Sequence, residues 1–188
     1  MYRFYLFISM LLITAIAACS SVKVSQDYDL DKALPLMQTY RWEMAAQPKT
    51  GDVRVDNPLL NARIRKSVDR VFSAKGFQKV PAGTPNFMVA YQFSISSKIR
   101  SDDLRTGAGF GMGSYGRHGG IAVSTGSTVT QYDEGLLVID LTGVKNGDLL
   151  WRGNGTLRLP EHMDPEKSEK VVNELVEKIL EQFPPESR

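Results

Sequence analysis

Residues 132–159 read YDEGLLVIDLTGVKNGDLLWRGNGTLRL, and the fold follows from how this stretch is divided. Leu136 to Leu141 is apolar on both faces apart from Asp140, the pattern of a strand in the middle of a sheet. Asn146 and Gly147 form a pair that favours left-handed turn geometry, and a second strand follows from Leu149. The stretch is therefore a pair of strands joined by a turn. Upstream, NFMVAYQFSIS at 86–96 places Phe87, Val89, Tyr91, Phe93 and Ile95 on alternate positions, which predicts a further strand with one face on a core.

Two helical segments bracket these strands. In DNPLLNARIRKSVDRVFSAKGF, at 56–77, Asn57 suits the N-cap, Pro58 the first helical position and Gly76 the C-terminal stop. Leu60, Ile64, Val68, Val71 and Phe72 repeat at helical spacing. In the second, Asp164 and Pro165 open a helix with Val171, Val172, Leu175, Val176, Ile179, Leu180 and Phe183 on one side, stopped by Pro184 and Pro185. Shorter strands are expected at 21–29, with Val22 and Val24 on one face, and at 38–44, with Tyr40 and Trp42 on one face. Residues 30–37 read as a loop or helical turn, and 45–55 as a polar linker. Strands in consecutive order plus two helices predict an α+β fold, an antiparallel or mixed sheet with both amphipathic helices packed on one face.

The chain begins differently. Arg3 precedes an uncharged apolar run from Phe4 to Ile16 and the small residues Ala17 and Ala18, the layout of a secretory signal peptide too short to span a bilayer. Cys19 is the only cysteine among the 188 residues. The segment IAAC resembles the lipobox of bacterial lipoproteins, which implies cleavage before Cys19 and acylation of its thiol and freed amine. Several acyl chains hold a protein to a membrane far better than one, each buried methylene contributing about 0.8 kcal/mol. A lone cysteine also leaves no disulfide to support the exported domain. Ser20 is not the aspartate that resembles an inner-membrane retention signal, so the periplasmic side of the outer membrane is the expected location. The expected organisation is a signal peptide at 1–18 and one lipid-anchored α+β domain at 19–188, with a Gly-rich loop at about 106–127.

Charge narrows the classes of partner. Lys and Arg number 23 against 21 Asp and Glu, and loss of Arg3 with the signal leaves a formal charge of +1. That balance argues against nucleic acid, whose phosphates require a concentrated basic surface. Hydrophobic content of 42% fits a folded globular domain.

The order of features resembles a known family. YDLDKALPLMQTYRW, a helix ending AKGFQKV, then PNFMVAYQ, YDEGLLVIDL, GDLLWRGNG and a terminal helix closing in FPP are similar to bacterial envelope lipoproteins grouped as domain of unknown function 4136. EGLLVIDL followed by LLWRG is the most specific part. The resemblance covers nearly all of the mature chain and implies an α+β sandwich, but no reaction, substrate or catalytic residue.

Sharper motifs fail on context. Gly111, Gly113 and Gly116 have the spacing of a dinucleotide-binding loop, with Asp133 where a ribose-binding acid would fall. Glycines then continue into β-prone IAVSTGS instead of a helix, so no cofactor is expected. His118 and His162 belong to no ligand-spaced cluster, and no metal is expected. Asp102, Asp103, Asp133 and Glu134 would make a carboxylate pair or calcium site only if the fold gathered them. No Gly-x-Ser-x-Gly turn is present. Arg63, Lys66 and Arg70 lie along one side of the first helix, where they would meet lipid headgroups or an acidic partner. Trp151 and Arg152 complete the candidate partner or ligand surface.

The expectation is a tethered, non-enzymatic binding or accessory module, joined to the membrane through lipid on Cys19 and open to an envelope protein partner. Two alternatives stand beside it: a small envelope enzyme with a scattered site, and a carrier of a lipid or other apolar ligand. A closed core favours the accessory module, a polar cleft with converging carboxylates or His118 the enzyme, and an open apolar cavity the carrier.

Overall fold

Among the described residues the order is β1 (Lys23–Asp27), β2 (Thr39–Trp42), α1 (Pro58–Ala74), β3 (Gln78–Lys79), β4 (Phe87–Asp102), β5 (Thr128–Gly143), β6 (Leu149–Arg158) and α2 (Pro165–Glu181). The computed structural model describes residues 22–31, 34–44, 47–102 and 128–185, excepting the side chains of 100–102, 128 and 129. Cys19, the rest of the signal segment, the Gly-rich segment with Gly111, Gly113, Gly116 and His118, and Asp103 lie outside the described residues.

The strands form one mixed sheet in the order β1-β6-β5-β4-β2-β3. The β4–β5, β5–β6 and β1–β6 pairs are antiparallel, whereas β2 runs parallel to both β3 and β4. A parallel pair needs a crossover, and α1 supplies it between β2 and β4. The strands are therefore not a simple consecutive series, and an inserted helix turns the β2 neighbour parallel.

β5 is central. It pairs with β4 from Asp102↔Thr128 to Phe87↔Gly143 and with β6 from Glu134↔Arg158 to Thr142↔Leu149. Its turn into β6 places Gly147 at φ +71°, with its N–H donating to the Gly143 carbonyl at 2.9 Å. β4 and β5 run longer than their hydrophobic pattern. Residues 97–102 and 128–133 pair with each other beyond the last β5–β6 pair, Glu134↔Arg158, and there the alternation fades into serines and charged residues.

Odd-numbered positions of β4, β5 and β6 face the helices: Phe87, Val89, Phe93, Leu137, Ile139, Leu141, Trp151 and Leu157 are buried there. Tyr40 and Trp42 join them from β2, while Val24 on edge strand β1 is 39% exposed. Each helix buries the stripe its spacing predicts, Leu60, Ile64, Val68 and Phe72 on α1, and Val172, Leu175, Val176, Ile179 and Leu180 on α2. Asn57 Oδ1 accepts the Leu59 N–H at 2.9 Å and Asp164 Oδ1 the Lys167 N–H at 2.7 Å, so each helix start has a side-chain cap.

The helices are parallel. Arg63 meets Ser168, Lys66 meets Glu169, Arg70 meets Glu177 and Lys75 meets the Phe183 carbonyl, a register that rises on both helices together. Topology requires this arrangement: β2 and β6 point the same way, and each is followed by a helix returning over the sheet. Both helix N-termini consequently lie at one end of the molecule. α2 packs directly over glycines of β6, where a Cβ added at Gly155 would sit 2.7 Å from Ile179 Cγ1. Among the described residues no helix is long and apolar enough to cross a membrane.

Candidate functional site

At the end where both helices begin, a cleft of about 670 Å³ opens between α1, α2 and the sheet, within the usual size range of small-molecule sites. Its apolar wall comes from Leu60 on α1, Phe93 and Ile95 on β4, Leu159 after β6, and Val171, Val172 and Leu175 on α2. Phe93, Leu159, Val172 and Leu175 are buried at its base, and Ile95 and Val171 are only partly covered. Gln47 fixes the β4 edge beside it, donating to the Phe93 carbonyl at 3.0 Å and accepting the Phe93 N–H at 2.7 Å.

Charged groups form the rim. Arg54 donates to Asp133 Oδ2 at 2.6 Å and to Asp52 Oδ2 at 2.7 Å, and Ser97 Oγ donates to Asp133 Oδ1 at 2.7 Å. The hydrogen bonds from Ser97 and Arg54 lower the Asp133 carboxyl below its ordinary range, and those to Asp52 and Asp133 raise Arg54 further. The Lys167 backbone N–H lowers Asp164 in the same way. Arg63 donates to Ser168 Oγ at 3.3 Å, and the Arg158 guanidinium lies 4.9 Å from the Tyr132 ring centre. Neither is paired with a carboxylate among the described residues, and Glu161 is an exposed acid on the same rim.

The residues singled out from sequence go to different places. Arg63 reaches the cleft. Lys66 and Arg70 stand outside it and pair with Glu169 at 3.4 Å and Glu177 at 2.7 Å on α2. Trp151 is fully buried, its indole N–H donating to Gln26 Oε1 at 2.9 Å and its ring 5.1 Å from that of Phe183. Arg152 points to the opposite face of the sheet, where it grips Asp140 through two hydrogen bonds of 2.6 and 2.7 Å. Those bonds explain the one charged residue in the apolar run of β5.

Asp102 does not join Asp133 and Glu134. It pairs with Thr128, five residues beyond the Ser97↔Asp133 pair, roughly 17 Å along the strand. Asp133 and Glu134 themselves point to opposite faces. His162 is exposed on the loop before α2. Among the described residues no group of three His, Cys, Asp or Glu is placed to hold a metal ion.

Asp69 went unnoticed in the sequence. Its Oδ1 accepts the Tyr40 hydroxyl at 2.8 Å and the Trp42 indole N–H at 2.9 Å, and its Oδ2 takes Lys79 at 2.8 Å. This carboxylate holds β2, β3 and α1 together. Burial and the Asp69 hydrogen bond push the Tyr40 hydroxyl far above its ordinary pKa.

The family model described as "Domain of unknown function (DUF4136)" matches residues 24–185. The chain belongs to this family. No curated protein matches it significantly. Among solved structures, a PDZ domain protein from Parabacteroides distasonis is similar with a TM-score of 0.53 and 11% identity, over 89% of this chain and 36% of that one. The DUF4136 chain thus spans about a third of that protein's length, and at this identity the likeness shows the fold alone. The PelC dodecamer from Paraburkholderia phytofirmans gives a TM-score of 0.47 and 13% identity, over 88% of this chain and 99% of that one.

Proposed function

We propose that this DUF4136 protein is a lipid-anchored binding module of the bacterial cell envelope. It is tethered through Cys19 at the periplasmic face of the outer membrane and takes an apolar or amphipathic ligand into the cleft. The observation that carries this reading is the cleft of about 670 Å³ itself, whose apolar lining is only partly buried at Ile95 and Val171. A purely structural module would close its core over those side chains. Tethering confines the domain to one surface and raises its effective concentration toward anything there.

The rim chemistry supports binding over catalysis. A general acid or base works best with a pKa near the operating pH. Asp133 and Asp164 are shifted the other way, locked as carboxylates, and Arg54 is locked as a cation. Such groups hold a shape and an electrostatic pattern but exchange protons poorly.

The test uses the full chain. Wild type and Cys19→Ala are compared by membrane flotation, and the wild type in vesicles is exposed to an uncharged photoactivatable alkyl probe. Flotation lost in Cys19→Ala, and labelling at the cleft that Ile95→Trp abolishes, are the expected results. Flotation of Cys19→Ala at the wild-type level defeats the anchor, and labelling spread evenly over the surface defeats the binding cleft.

A further inference from the structure

The tether and the cleft share one end of the molecule. β1 runs antiparallel to β6 with Lys23 opposite Thr156, so Val22, the first described residue, lies at the end of β6 that carries Leu157 and Arg158. Arg158 and the segment that follows it, 159–165, line the cleft. Cys19 lies three positions before Val22, and an extended chain covers at most ~10 Å over three steps. A lipid on Cys19 would therefore attach within ~10 Å of that end of the sheet.

The groups at that mouth are selective. Of the charges on the rim, Arg54 is held by Asp52 and Asp133, and Asp133 and Asp164 have their own donors. The Arg54–Asp52–Asp133 trio keeps one negative charge and Asp164 is balanced by Lys167, while Arg63, Arg158 and the exposed Glu161 have no ion-pair partner among the described residues. Arg63 spends only one N–H on Ser168 Oγ, and Arg158, an even position alternating away from the helices, borders the cleft at the end of β6 with its guanidinium carbon 4.9 Å over the Tyr132 ring. Both helices also direct the positive ends of their dipoles here, although Asn57 and Asp164 already cap them. Below this rim the wall is hydrocarbon.

We infer that the cleft receives an acyl chain of a membrane phospholipid, whose phosphate is held by Arg63 and Arg158 while the chain lies against Phe93, Ile95 and Val172. This rests on the anchored-module reading and adds the ligand and its orientation. Guanidinium groups suit phosphate because their paired N–H donors match two of its oxygens. The bilayer below the mouth supplies the ligand without a soluble carrier.

The full chain, reconstituted in vesicles containing a phospholipid with a photoactivatable group in mid-chain, distinguishes the outcomes. Crosslinks are expected on β4 around Phe93 and Ile95 and on α2 around Val172. Arg63→Gln/Arg158→Gln should lower them roughly tenfold, with an unchanged melting temperature and unchanged labelling by the uncharged alkyl probe. Cleft labelling by the alkyl probe but not by the phospholipid overturns the lipid inference and leaves the binding module standing. Phospholipid crosslinks that ignore the double substitution overturn the phosphate assignment. Occupation of the cleft by the chain's own Cys19 acyl groups, recognised as an intramolecular crosslink, overturns an exchangeable lipid ligand.

Discussion

Arg54 Nη1 lies 2.6 Å from Asp133 Oδ2, joining the loop before α1 to the exposed stretch of β5 across a sequence separation of 79 residues. The pair sits on the cleft rim, so its electrostatic role and its stabilising role separate. Solvent-exposed ion pairs contribute about 0–1 kcal/mol. Asp133→Asn should therefore leave the urea midpoint close to that of wild type. Arg54 keeps Asp52, the rim loses one negative charge, and binding of the full chain to anionic vesicles should strengthen at low salt. Sedimentation with vesicles checks this, and weaker binding by the variant would contradict the charge assignment.

Asp69 is a different kind of carboxylate because its partners are buried: Tyr40 is 1% and Trp42 6% exposed. Removing it orphans a hydroxyl and an indole N–H, each costing ~1–3 kcal/mol when left unsatisfied. Asp69→Ala should destabilise by at least ~2 kcal/mol, while Asp69→Asn, which keeps an acceptor oxygen, should cost less. Equilibrium urea unfolding of both gives the comparison. Equal losses would mean that the Lys79 ion pair, not the two aromatic donors, sets the contribution.

Gly155 lets α2 lie directly on β6. A methyl group there would press on Ile179 Cγ1 and Cδ1, 2.7 and 2.8 Å away, and overpacking of this kind costs ~1–3 kcal/mol. Gly155→Ala should cost that much. In Ile179→Ala/Gly155→Ala the two effects should sum to less than their separate values, since one change makes room for the other. Strict additivity would show that the helix moves away as a body.

Acid should act on a definite group of carboxylates. Asp56, Asp133 and Asp164 all have folded-state pKa values below the ordinary 3.8, Asp56 chiefly through the Thr50 and Gly51 backbone N–H groups. A lowered folded pKa gives a contribution fully present above the unfolded value and lost as pH falls through the folded one. Stability should thus be insensitive to these groups above about pH 5 and decline below about pH 4. Asp164→Asn, which still caps α2 without titrating, should flatten part of that decline in melts recorded across pH 2–6.

Much of the frame was legible because it rests on short-range rules. Asn57, Pro58, Asp164 and Pro165 mark the helix starts where the structure has them, and the Leu136–Leu141 run marks the central strand. The parallel β2–β4 pairing was not legible, since strand direction depends on where α1 inserts and not on any residue pattern within β2. The cleft was hidden for a related reason. Phe93 and Val172 read as core and are buried, whereas Ile95 continues the same alternation and is only partly covered, a difference that periodicity along β4 does not signal. Trp151 shows the converse: a distinctive residue in the family's most specific segment proves to be packing, with its N–H satisfied by Gln26. Arg63 carried a visible signal, a cation on the helix face that turns toward α2, but Arg158 offered none until β6 placed it at the mouth.

The central claim is that the cleft at the helix N-termini holds a ligand taken from the membrane. Native mass spectrometry of the full chain released from envelopes in a mild detergent addresses it most directly, with Ile95→Trp as the filled cleft and Ile99→Trp, at an exposed position on the hairpin, as the control. The account predicts a one-to-one adduct of phospholipid mass on wild type and Ile99→Trp that is missing from a folded Ile95→Trp. A wild-type chain that flies bare, or an adduct that persists when the cleft is filled, would contradict it.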